Sequence, residues 1–159
     1  MERSRRHTLM LLAFLVLTLA VGQIGSLPTR TALDSWYPDL AKPAFTPPDL
    51  AFPIVWNLLY VMMAVAAWLV WRRSGWARAK GALGLWGLQL ALNLAWTYLF
   101  FGLRSPGLAL LEAGGLFLVL VATLVAVDRH SRTAAWLLVP YLLWTVYAIA
   151  LTFEIWRLN

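Results

Sequence analysis

Nearly the whole chain is taken up by apolar runs long enough to cross a bilayer, beginning near Thr8, Asp49, Ala77, Ser105 and Thr133 and parted by short charged or proline-rich margins. A transmembrane helix needs roughly 20 mainly apolar residues. Only a helix or a closed barrel satisfies its own backbone hydrogen bonds in hydrocarbon. The spacing predicts an all-α integral membrane protein, a bundle of five transmembrane helices over about 8–26, 49–72, 77–101, 105–127 and 133–157, forming one membrane domain over residues 1–159. With 62% hydrophobic and 13% charged residues, no segment is left for a soluble catalytic or nucleic-acid-binding domain. The lipid bilayer is therefore the expected partner and nucleic acid is not. The net charge of +6 is read against a membrane surface.

The charges fall unevenly. Arg3, Arg5, Arg6, Arg72, Arg73, Arg78, Lys80, Arg129 and Arg132 flank the ends on one side of a five-span arrangement, opposed by Glu2 and Asp128. Arg30, Lys42, Arg104 and Arg157 lie on the other side with Asp34, Asp39 and Asp49. The positive-inside rule then puts the N-terminus in the cytoplasm and the first long loop outside, as fits a bacterial cell membrane. Arg3, Arg5 and Arg6 before the apolar run Met10 to Val21 also have the shape of a secretory signal, but Val21 to Ser26 makes a poor cleavage site, so a retained first helix is expected. Cysteine is absent, which rules out disulfides, thiolate nucleophiles and iron–sulfur clusters. His7 and His130 stand alone in basic margins, where solvation is expected, and no metal-ligand cluster is visible.

Between the first two apolar runs lies WYPDLAKPAFTPPDLAFPIVW, Trp36 to Trp56, with five prolines and the aromatics Trp36, Tyr37, Phe45, Phe52 and Trp56. Proline fixes φ and removes a backbone donor, so the segment is stiff; its aromatic surface suits a lid. Helix one is expected to end before Leu27-Pro28, because a residue preceding proline is pushed out of the α region. Pro47-Pro48-Asp49 is expected to open helix two, with Asp49 near the positive end of its dipole. Turns follow at Ser74-Gly75, Gly102 to Pro106 and Asp128 to Arg132, short enough to make successive helices antiparallel neighbours.

On helix three, about 100° per residue separates two faces. Gly84, Gly87, Ala91 and Ala95 share one, where small residues let another helix approach closely; it is a candidate homodimer contact or a contact within the chain. Gln89, Asn93, Trp96 and Phe100 share the other. Amides mid-span should face a bundle interior or cavity. Tyr141, Trp144, Ala148 and Leu151 form a matching stripe at i, i+3, i+7 and i+10, and Phe52, Trp56, Tyr60 and Met63 form a third. Three such stripes either enclose a space for a large, flat, mostly apolar ligand or pack as core. Trp68, Trp71, Trp76, Trp136 and Trp156 lie near helix ends, as an interfacial belt would. Glu112 and Glu154 lie near enough to helix ends to snorkel.

These motifs, together with Leu59-Tyr60-Val61-Met62, QLALNLAWTYLFFG from Gln89 to Gly102 and PYLLWTVYAIAL from Pro140 to Leu151, resemble the translocator protein or tryptophan-rich sensory protein (TspO/MBR) family across nearly the whole chain. The resemblance implies five transmembrane helices, a homodimer, and a pocket closed by the first loop. It implies binding of porphyrins such as protoporphyrin IX, sterols and benzodiazepine-site compounds, with porphyrin as a ligand and no cofactor required. Carried over by motif, Trp56, Asn93, Trp144 and Ala148 line that pocket, with Tyr37 and Pro47 contributed by the loop. Leu151-Thr152 departs from the family's Leu-Asn, and Phe153 replaces the tyrosine of a sterol-recognition pattern.

Three functions are compatible with these residues. The first is a sensor that binds porphyrin between Trp56 and Trp144. The second is a tetrapyrrole or lipid transporter, although no broken helix or coupling carboxylate pair is apparent. The third is light-driven porphyrin degradation through the same two tryptophans, since no acid–base or nucleophilic constellation is present.

Overall fold

A computed structural model of the chain describes residues 2–159, and all regular elements among them are helical. They are α1 (Glu2–Leu33), α2 (Ala51–Thr97), α3 (Pro106–Asp128) and α4 (Arg132–Leu158), with a single 3-10 turn at Tyr37–Asp39 and a π-helical turn at Tyr98–Gly102. Four helices are long and apolar enough to span a membrane. Their outer surfaces carry exposed Leu12, Val16, Leu111, Leu118 and Leu143, as expected of helices facing lipid.

The expected end of helix one at Ser26 is corrected: α1 runs through Pro28 to Leu33. Proline at position 28 leaves the Ile24 carbonyl without its helical donor. The Tyr98 hydroxyl donates to that carbonyl at 3.4 Å, and the Thr29 hydroxyl donates to the Gly25 carbonyl at 3.2 Å. The Tyr98 hydroxyl thus stands in for the donor that Pro28 lacks, as a neighbouring element does for proline-containing spans. The segment between α1 and α2 is shortened accordingly to residues 34–50. Helix two begins at Ala51 rather than at Pro47, and the Ala51 amide donates to the Pro48 carbonyl at 2.8 Å.

The expected helices over 49–72 and 77–101 fall within α2, which is kinked at Gly75 in the expected turn, so four long helical elements are seen among the described residues and the second has two arms. Its 47 residues leave helical geometry only at Gly75, with φ 68° and ψ 173°. A straight helix of that length would reach about 70 Å, more than twice a hydrocarbon core of about 30 Å. Instead the arms before and after Gly75 fold against each other. The Trp86 indole donates to the Met63 carbonyl at 3.1 Å, and the Tyr60 hydroxyl donates to Asn93 Oδ1 at 2.7 Å. The Gly75 conformation is one that essentially only glycine adopts, with a cost of order 1–3 kcal/mol for other residues. Gly75→Ala is expected to lower the thermal midpoint of the detergent-solubilised protein by several degrees, an effect of about 1–3 kcal/mol. An unchanged midpoint would remove the strain at this turn.

α4 opens on Ser131, whose hydroxyl accepts the Ala134 amide at 3.2 Å, and α3 opens on Pro106. One core cluster joins Phe14, Met63, Val70, Trp86, Leu120 and Leu138; a second joins Tyr37, Phe100, Ala109, Leu151 and Ile155. Several margin residues depart from expectation. Trp71 is buried, with His7 edge-on to it at 5.8 Å, and the Trp68 indole donates to the His7 carbonyl at 2.9 Å. His130 Nδ1 lies 2.8 Å from the Ser74 hydroxyl. Trp71 is thus core, and His7, Trp68 and His130 are half-buried with protein partners, whereas Trp76, Trp136 and Trp156 are exposed as a belt would be. Glu154 pairs with Arg157 at 2.6 Å, while both Glu112 oxygens are buried without a hydrogen-bond partner among the described residues.

Candidate functional site

A cavity of about 380 Å³ lies under the proline-rich segment, bounded by α1, both arms of α2 and α4. The helical stripes build its aromatic wall. Phe52, Trp56 and Tyr60 come from the first arm of α2, Trp96 from the second, and Trp144 and Tyr147 from α4. Trp56 is the hub: its ring centroid lies 5.6 Å from Tyr60, 6.1 Å from Tyr141 and 6.5 Å from Trp144, and the planes of Trp56 and Trp144 meet at 88°. Trp96 stacks on Phe100 at 5.2 Å. The indole N–H of Trp144 is buried and has no hydrogen-bond partner among the described residues.

Of the residues expected at the site, Tyr37, Phe52, Trp56, Tyr60, Trp96, Trp144, Ala148 and Leu151 line the cavity; Pro47, Gln89, Asn93 and Tyr141 do not. Asn93 sits behind the wall. Its Oδ1 accepts from Tyr60, and its amide nitrogen donates to the Tyr141 hydroxyl at 3.3 Å, so its polar atoms are spent on two buried tyrosines. Gln89 is fully buried, with its amide nitrogen 4.0 Å from the Met63 sulfur and its carbonyl oxygen unpartnered among the described residues. In the covering segment Phe45 is tied to α4: the Tyr147 hydroxyl donates to the Phe45 carbonyl at 2.7 Å.

Other bonds hold that segment over the cavity. The Asn159 side chain accepts the Ala41 amide at 2.9 Å and donates to the Ala41 carbonyl at 2.9 Å. Lys42 donates to the carbonyls of Tyr37, Pro38 and Leu40, with its ammonium 4.7 Å from the Tyr37 ring centroid. Burial, then the charges of Asp49 and Tyr147, push the Tyr37 hydroxyl up to about 12, so it stays neutral at physiological pH.

The α1 wall has no counterpart among the sequence expectations. Gly22, Gln23, Gly25, Ser26, Thr29, Arg30 and Leu33 all line the cavity, as does Thr152, the departure noted on α4. At Gly22 an added Cβ would come within 2.6 Å of Tyr60 Cε2, so the missing side chain is what seats the tyrosine ring. The signal was present as small and polar residues recurring at helical spacing from Gly22 to Leu33.

The small-residue face of α2 points outward. Gly84 and Ala91 are exposed, Gly87 and Ala95 half-buried, and a Cβ at Gly84 or Gly87 would meet nothing within 4 Å. Close packing of these glycines against another helix of the same chain is thereby excluded.

Comparison with known proteins matches residues 14–157 to the TspO/MBR family. The chain is 37% identical over 155 residues to the tryptophan-rich protein TspO of Archaeoglobus fulgidus, covering 96% of this chain and 99% of that protein. It is 41% identical over 145 residues to the tryptophan-rich protein TspO of Chlorobaculum tepidum, covering 90% and 91% of the two chains. Against the translocator protein of Homo sapiens it is 40% identical over 126 residues, covering 78% and 75%. With its apolar helices and a match over most of its length, the chain is a multi-pass integral membrane protein that belongs to the TspO/MBR family.

Proposed function

We propose that this protein is a membrane receptor or sensor that binds porphyrins and other flat hydrophobic ligands in the cavity beneath residues 34–50. The observation that carries this is the meeting of Trp56 and Trp144, from different helices, edge to face in the aromatic wall of the cavity. Aromatic faces and edges favour a planar apolar guest, and the buried, unpartnered Trp144 N–H supplies a polar anchor. The volume of about 380 Å³ lies low in the usual ligand-pocket range of about 300–1,000 Å³. A tetrapyrrole therefore enters with displacement of the covering segment. The bonds from Tyr147 and Asn159 resist that displacement by only about 1 kcal/mol each.

In this proposal the two arms of α2 cross the bilayer separately, giving five crossings. The basic margin of Arg3, Arg5, Arg6, Arg72, Arg73, Arg78, Lys80, Arg129 and Arg132 then faces the cytoplasm. The outward face at Gly84, Gly87 and Ala91 is the homodimer contact, supported by its exposure and open space. Titration of the detergent-solubilised protein with protoporphyrin IX should quench tryptophan fluorescence saturably. Quenching that rises without saturation, as in a micelle holding free indole, would overturn the proposal.

A further inference from the structure

The cavity has two unlike halves. Tyr37, Tyr60, Phe100 and Leu151 are buried, whereas Gln23, Arg30, Asp49 and Asn57 are exposed, so the polar half is the open side of the cavity. The hydroxyls and the Asn57 amide there are already bonded. The Ser26 hydroxyl donates to the Gln23 carbonyl at 2.7 Å, the Thr29 hydroxyl to the Gly25 carbonyl, and the Asn57 amide to the Pro53 carbonyl at 2.8 Å. The Arg30 guanidinium makes no ion pair among the described residues, where Arg157 and Glu154 form the one such pair.

Arg30 does stand in the last turn of α1, where a cation offsets the helix dipole. That role needs a charge but not a cavity-lining position. A guanidinium with its fork of donors unused matches a carboxylate two bonds at a time. We infer that Arg30 recognises a carboxylate on the ligand, so that the cavity takes a flat amphiphilic acid with its rings at Trp56 and Trp144 and its anionic group at α1. Asp49 lines the same cavity and its charge bears on Tyr37, so it opposes an anion rather than receiving one.

This inference rests on the cavity as the ligand site, and its test separates the two. The probes are protoporphyrin IX and its dimethyl ester, titrated at one detergent concentration so that their affinity ratio cancels micelle partitioning. Arg30→Gln should weaken binding of the diacid about tenfold, the scale of a charge-assisted hydrogen bond, and leave the diester within about twofold. Arg30→Lys should fall between, and Asp49→Asn should tighten the diacid or leave it unchanged. The preference for diacid should shrink as salt is raised, because Arg30 is exposed. Equal affinities of wild type and Arg30→Gln for the diacid would overturn the inference while diester binding still upholds the cavity. The same holds if Arg30→Gln weakens both forms alike. Failure of the wild type to bind either form would overturn both.

Discussion

Replacing Trp56 and Trp144 together by alanine is expected to weaken protoporphyrin binding roughly 100-fold or more. Truncating a buried aromatic anchor costs about 2 kcal/mol or more at a binding site, and about 1.4 kcal/mol is tenfold in affinity. Each single substitution should account for less than its additive share, because the two rings touch and share the ligand. Porphyrin absorbance is the proper readout, since the indoles that remain still fluoresce. Both positions are half-buried at the cavity wall, so the double variant should keep its helical circular dichroism. A Trp56→Phe, Trp144→Phe variant should recover much of the loss if planar aromatic surface is the cause. Affinity unchanged in the alanine double variant would show that ligand sits elsewhere.

The second large effect concerns stability. Asn93→Leu should strand the hydroxyls of Tyr60 and Tyr141, which its amide now joins at 2.7 and 3.3 Å. Hydrogen bonds between transmembrane helices average only about 0.6 kcal/mol, because the unfolded state in the membrane finds other partners. Leaving two buried hydroxyls unpaired is a different change, costing about 1–3 kcal/mol each. The expected loss is about 2–6 kcal/mol, read as a marked fall in the thermal midpoint. Tyr60→Phe, which strands one amide oxygen rather than two hydroxyls, should cost less, about 1–3 kcal/mol. Combining Asn93→Leu with Tyr60→Phe and Tyr141→Phe should restore part of the loss, since no polar group is then stranded. A midpoint for Asn93→Leu equal to the wild type would dismiss this network as a source of stability.

How far the sequence carried can be seen residue by residue. The stripes at Phe52, Trp56 and Tyr60 and at Trp144, Ala148 and Leu151 were legible because helical periodicity places them on single faces and their size demands enclosure. Gln89 and Asn93 were legible as inward-facing but not as lying behind the wall. A polar group in an apolar span is satisfied equally by a cavity or by a buried hydroxyl, and nothing in the sequence says which. The α1 wall escaped because its contribution at Gly22 is the lack of a side chain, visible only once Tyr60 is in place against it. Local rules failed at Pro28 because Tyr98, far along the chain, supplies a donor to the freed carbonyl. At Gly75 the turn was legible, but not that a single residue outside helical geometry makes it between two long arms.

The most direct test is a structure of the protein with protoporphyrin IX bound. The predicted result is a planar ligand between Trp56 and Trp144 beneath residues 34–50, with a propionate at Arg30 and the Ala41 to Phe45 segment displaced. Ligand confined to the outer surface, for instance along the Gly84 and Ala91 face, with Trp56 and Trp144 still in contact and the cavity empty, would contradict it.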